Sequence, residues 1–96
     1  MRESAIEKAL IRAVQQAGGV CWKWVSPGIN GVPDRTIVLP GGRVAFVETK
    51  TPTGKLTAIQ KHRHKQLHKL DAPLYTIYHP SQIPPLIHHL TQGQPE

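Results

Sequence analysis

Apolar positions along the chain change their period several times, and each change marks an element. Ile6, Leu10, Val14 and Ala17 recur at three- and four-residue spacing with Ala9 and Ala13 beside them, which predicts a helix over 4–17. Gly18 and Gly19 stop it. The run 20–25 is rich in β-forming residues and predicts a strand. Residues 26–33 hold two glycines, two prolines and an asparagine, the composition of a loop. A short apolar run over 36–39, a turn at Pro40-Gly41-Gly42 and a longer run over 43–50 predict a hairpin. A polar connection leads to a second helix over 57–70, basic on its exposed side. A strand over 74–78 follows, then a final helix over 81–90, where Pro84 and Pro85 are tolerable because they fall in the first turn.

The order is αβββαβα. The first three strands are joined by loops, which suits antiparallel pairing. The last two are joined through a helix, which implies a parallel, right-handed crossover. The fold class expected is α/β: a mixed sheet of about four strands flanked by helices. At 96 residues the chain is expected to form one domain, with a core over 3–90 and a flexible tail over 91–96.

Composition narrows the partners. Lys plus Arg is 12 against six acidic residues, a net charge of +6. This balance favours polyanions, nucleic acid ahead of an anionic membrane surface, with a basic protein lacking any such partner as the plain alternative. The single cysteine, Cys21, excludes a disulfide framework within the chain and sits in an apolar run as a small hydrophobe. No apolar stretch reaches the length of a membrane span, and the N-terminus is charged and helical rather than signal-like. The expected setting is a bacterial cytoplasm, as a bacterial protein or a viral one in a bacterial host.

The candidate chemistry lies at the end of the predicted hairpin. A period of two places Glu48 and Lys50 on the same strand face. If Leu39 pairs with Arg43, paired numbers sum to 82 and Asp34 falls opposite Glu48, provided the register does not slip by one. Two carboxylates facing each other across a ladder repel, and a divalent cation removes the repulsion. Carboxylate oxygens with open positions suit Mg²⁺ or Mn²⁺. An ammonium two residues from a ligand can hold an attacking water and neutralise charge on phosphoryl oxygens. The structural alternative is a turn residue at Asp34 and a solvated strand end at Glu48 and Lys50.

Other residues carry two readings each. Glu7 shares a helical stripe with Leu10, Ile11 and Val14 and would reach a metal-bound water, but residues 4–7 also match a capping box. Glu3 shares the stripe at the frayed end. Gln60 either faces substrate phosphate or closes a capping box with Thr57. Lys55, Lys61, Arg63, Lys65 and Lys69, with His62, His64 and His68, form a basic tract suited to phosphate contacts or to plain solvation. His64 and His68 have the i, i+4 spacing of a zinc pair but no evident third ligand. Trp22 and Trp24 share one strand face and read as core or dimer contact before base-stacking platforms.

Gly31-Val32-Pro33-Asp34-Arg35, then Val47-Glu48-Thr49-Lys50, then Gln60 resemble the VRR-NUC family of the PD-(D/E)XK nuclease superfamily, in its stand-alone viral or bacterial form. The resemblance runs from about residue 3 to 78. It implies a restriction-endonuclease-like core and Mg²⁺- or Mn²⁺-dependent cleavage of DNA. Asp34 and Glu48 match the metal-binding acids, the Thr49 backbone carbonyl the third protein ligand, and Lys50 the catalytic lysine. Glu7 matches the acidic residue of the first helix, and Gln60 the glutamine after the motif. Arg35 joins Lys55, Lys61, Arg63 and Lys65 as the expected DNA contacts. Thr49 is polar where many members are apolar. Stand-alone members look like homodimers similar to Holliday-junction resolvases, which makes branched DNA the expected partner. A helicase or another replication or recombination protein is a further candidate partner. A non-catalytic DNA-binding module and a nuclease with flap, exonuclease or sequence-directed action are the competing hypotheses.

Overall fold

The computed structural model describes residues 1–92. Its elements are α1 (Glu3–Gln16), β1 (Val20–Lys23), β2 (Arg35–Leu39), β3 (Arg43–Thr49), α2 (Ala58–Lys69), β4 (Leu74–Ile77), a short 3-10 turn (Pro80–Gln82) and α3 (Ile83–Thr91). This is the order the periodicity predicts, with the 3-10 turn added ahead of α3. Part of the tail expected over 91–96 belongs to α3 or follows it directly, and 93–96 lie outside the described residues.

The four strands form one mixed sheet in the order β1-β2-β3-β4. β1 with β2 and β2 with β3 pair antiparallel, while β3 and β4 pair parallel across α2. Leu39 pairs with Arg43 around the three-residue turn, and Gly41 and Gly42 there take φ of +89° and +76°, values that favour glycine. The ladder continues to Arg35 opposite Val47. One step further along the same register, Asp34 lies opposite Glu48.

Alternation then sorts the side chains. Ile37, Leu39, Ala45 and Val47 join Cys21 and Ile77 in a core covered by Ile6, Leu10 and Val14 of α1 and Ile83, Leu86 and Leu90 of α3. Each fully buried aliphatic side chain contributes about 1.5–3 kcal/mol of transfer free energy. The opposite face carries Phe46 and Glu48 of β3 and is only partly covered, by α2. There Val44 is 43% and Trp22 65% exposed.

Two local expectations meet different outcomes. The capping box of α2 forms: Thr57 Oγ1 accepts from the Gln60 amide, and the Thr57 amide donates to Gln60 Oε1. The box that residues 4–7 match does not form. Helix α1 starts one residue earlier, its N-cap is Arg2 with no side-chain cap, and Ser4 lies inside the first turn. With Arg2 in place of Ser4 as N-cap, the hydroxyl lies two residues past the position where it could accept an orphan N–H.

Candidate active site

The loop from β1 to β2 delivers Asp34 to the sheet end by backbone fit. Gly31 has φ of +85°, and a Cβ there would stand 2.7 Å from the Ile59 carbonyl oxygen, so only glycine lets the loop lie against the start of α2. Pro33 is fully buried and brings no N–H that would need a partner. The Asp34 carbonyl then accepts from the Trp24 amide at 2.9 Å, extending the β1–β2 pairing.

The Asp34 side chain is held by one residue. The Thr49 amide and Thr49 Oγ1 both donate to Asp34 Oδ2, each at 3.1 Å. Thr49 is itself fully buried. This explains why a polar residue stands between Glu48 and Lys50, a role the sequence signals only as a departure from an apolar pattern.

Glu48 is 1% exposed, and neither carboxylate oxygen has a hydrogen-bond partner. Glu3, Asp34 and Glu48 each offer an oxygen, and these oxygens lie within 4.8 Å of one another. Burial pushes the Glu48 carboxyl up to about 8, helped by the neighbouring Asp34 carboxylate, which would accept a hydrogen bond from Glu48 only in its protonated form and repels its charged form; Lys50 pulls it back, and Glu3 adds a smaller push. Lys50 follows on the same strand face, partly exposed, its amide donating to the Ile77 carbonyl at 2.9 Å. Desolvated carboxylates left without donors are costly unless a cation satisfies them. All three donors are hard oxygens, so the residues fit Mg²⁺ or Mn²⁺.

His64 of α2 reaches the same carboxylate. It is 5% exposed, and its Nε2 lies 3.6 Å from Glu48 Oε1 with no hydrogen-bond partner. Burial pushes this imidazole below its ordinary value, and the charge of His68 adds to that; Asp34 pulls it up and Lys50 down. His68 Nε2 instead meets the Leu74 carbonyl at 3.3 Å. The two histidines thus look in different directions, and the metal-competent cluster among the described residues is the carboxylate one.

The remaining expected residues divide. Glu7 accepts from Arg35 Nη2 at 2.6 Å, both side chains partly buried. The structure therefore brings Glu3 rather than Glu7 to Asp34 and Glu48, and ties Arg35 to a carboxylate. Gln60 uses its side-chain oxygen in the α2 cap. Arg63 donates to the Asn30 carbonyl at 2.7 Å and to Gln66 Oε1 at 3.0 Å, pinning the β1–β2 loop to α2. Lys55, Lys61 and Lys65 are exposed. Trp24 packs on Phe46 with ring centroids 4.8 Å apart, whereas Trp22 is open to solvent. Among the described residues, no helix is long and apolar enough to cross a membrane.

Comparison with known proteins places this fold. No family model matches the chain. A protein of Acyrthosiphon pisum secondary endosymbiont phage 1, described as "Putative nuclease p44", is 47% identical over 70 residues, which are 73% of this chain and 75% of that protein. A solved structure described as a VRR_NUC domain superposes with a TM-score of 0.85 at 28% identity, covering 91% of this chain and 95% of that one. The class defined by this fold and these relatives is a nuclease of the PD-(D/E)XK type. Within it, the chain belongs to the VRR-NUC family.

Proposed function

We propose that the protein is a Mg²⁺- or Mn²⁺-dependent DNA endonuclease, selective for branched DNA and acting as a homodimer. The observation that carries this reading is the buried, unpartnered Glu48 carboxylate within reach of Asp34 and Glu3. Asp34, Glu48 and the Thr49 carbonyl would hold the cation, with Glu3 as the α1 carboxylate nearest to it. When bound, the cation supplies Lewis acidity at a phosphoryl oxygen and offsets the charge of the acids.

The chain's own groups do the rest. Thr49 fixes Asp34 through its two hydrogen bonds. Lys50 Nζ holds the attacking water and neutralises charge that builds on the phosphoryl oxygens. Hydrolysis adds the water's OH to phosphorus and its proton to the leaving oxygen, so the P–O bond breaks with no other reactant. Glu7 positions Arg35. Gln60 keeps its amide nitrogen for phosphate while its oxygen caps α2. Lys55, Lys61 and Lys65 contact the DNA backbone without reading sequence.

Support for a homodimer comes from Val20, Trp22 and Val44, apolar and exposed on the sheet face away from α1 and α3. A two-fold dimer carries two sites, one for each strand of a branched duplex. The test is cleavage of an end-labelled four-way junction beside a linear duplex of the same arm sequence, in Mg²⁺, Mn²⁺ or EDTA. Metal-dependent cutting that favours the junction is the expected result. Binding of DNA with no cutting under any metal would replace this reading with a non-catalytic module.

A further inference from the structure

Beside the carboxylate cluster stands a buried histidine that the catalytic scheme leaves unused. His64 is 5% exposed and Glu48 1%. Nε2 of the one and both oxygens of the other are buried without hydrogen-bond partners. Three such atoms in one place are unusual in a folded protein, where buried polar atoms are nearly always paired. They also face each other, with Nε2 3.6 Å from Oε1. Closing that gap to the about 2.7–2.9 Å of a charge-assisted N–H···O⁻ bond takes less than about one ångström.

The imidazole lies beside Glu48 without belonging to the carboxylate cluster. The oxygens that lie within 4.8 Å of one another come from Glu3, Asp34 and Glu48, with no His64 nitrogen among them. Helix α2 is also built to keep His64 in place. Its start is fixed by the Thr57–Gln60 capping box, and Arg63, the preceding residue, is bonded to the Asn30 carbonyl.

We propose that His64 is a positioning residue for the metal site: its Nε2–H donates to Glu48 Oε1, which orients the carboxylate so that Oε2 faces the cation. A carboxylate held this way loses less rotational freedom on binding metal and stays in the geometry the cation needs. The inference rests on the metal-dependent reading of the site given above. It assigns His64 no contact with DNA or with the reacting phosphate.

The test is Mn²⁺ affinity, measured on the folded protein without DNA from the loss of the free-ion EPR signal. The proteins compared are wild type, Asp34→Asn, His64→Phe and His64→Gln. His64→Phe removes the donor while filling the space, and about 10- to 100-fold weaker binding is expected. His64→Gln, with an amide donor, is expected to recover most of the loss. Wild-type affinity in the Phe variant overturns the proposal, as does a Gln variant as weak as Phe, which would mark a packing role. If wild type binds and only Asp34→Asn fails, the metal-site reading stands and this inference falls. If wild type binds no Mn²⁺, both fall. A further measurement is independent of how the variants fold. In the Mg²⁺-loaded wild type, long-range ¹⁵N–¹H correlation is expected to show the His64 proton on Nε2. A neutral tautomer protonated on Nδ1 alone overturns the assignment.

Discussion

Glu48 is the residue on which the electrostatics of the site turn. Metal-free, its carboxyl is raised from 4.5 to about 8, so the folded state keeps a proton that the unfolded state has released. A group of this kind lowers stability as pH rises toward its folded value. His64 acts in the opposite sense. Its lowered value means that stability is lost as pH falls below its ordinary 6.5, where the unfolded imidazole takes up a proton. The window from about 6.5 to 8 therefore isolates Glu48 from His64. In EDTA, stability should fall across that window by up to about 1.4 kcal/mol per pH unit, seen as a falling melting temperature. Saturating Mg²⁺ should remove or reverse the fall, because a cation favours the ionised carboxylate. A flat profile in EDTA, read by thermal denaturation at fixed ionic strength, would contradict this electrostatic account.

Thr49 offers a second test on the same scale. Thr49→Val removes the hydroxyl donor to Asp34 Oδ2 and keeps the amide donor. The loss expected is about 0.5–1.5 kcal/mol in Mn²⁺ binding measured calorimetrically, less than Asp34→Asn loses. At this scale the sequence was only partly legible. Asp34, Glu48 and Lys50 could be placed together because strand alternation and one hairpin turn determine their faces. The sequence favours Glu7 over Glu3, whereas the structure brings Glu3 to Asp34 and Glu48. Glu3 and Glu7 lie one turn apart on one stripe, and which of them meets the site depends on how far along α1 the sheet end falls. That is set by packing, and by the Arg35 guanidinium that engages Glu7. His64 was visible only as a member of the basic tract and as half of a zinc-like pair, because burial against Glu48 leaves no periodic signal.

Elements hold these residues in register through a few backbone devices. Gly31 is one: the β1–β2 loop touches α2 there with a left-handed φ and no room for a Cβ. Gly31→Ala should destabilise the fold by about 1–3 kcal/mol, measured by urea unfolding, and should weaken metal binding by displacing Asp34. The α2 cap is another. Thr57→Ala removes the acceptor for the Gln60 amide and should cost about 1 kcal/mol of stability while leaving the carboxylates in place. The hairpin register and the α2 cap were readable because each is local, resting on a turn of fixed length or on two side chains three residues apart. The start of α1 is less legible. A Ser-to-Glu spacing fits a box, but the helix extends back to Glu3, and Glu7 turns to Arg35 instead of to the N-terminal amides.

Across the whole molecule, one sheet face is sealed by α1 and α3 and the other stays partly open. Val20, Trp22 and Val44 present apolar surface there, on a chain whose charge is otherwise strongly basic. Light scattering should give twice the mass of the chain, and Trp22→Lys should shift it to the monomer with its circular dichroism unchanged. A wild-type monomer at micromolar concentration would remove the dimer from the account. The mixed topology was predictable because only an intervening helix lets β3 and β4 run parallel. The open face was not predictable, since the alternation of Val20 and Trp22 reads equally as core.

In the proposed function, one carboxylate pair and one lysine make this VRR-NUC protein a metal-dependent nuclease. Single-turnover cleavage of a labelled four-way junction by wild type and Lys50→Ala, at matched Mn²⁺ occupancy, tests it most directly. The predicted result is cleavage slowed by about 10²- to 10³-fold in the variant with Mn²⁺ binding retained. Cleavage by Lys50→Ala at the wild-type rate would contradict the assignment.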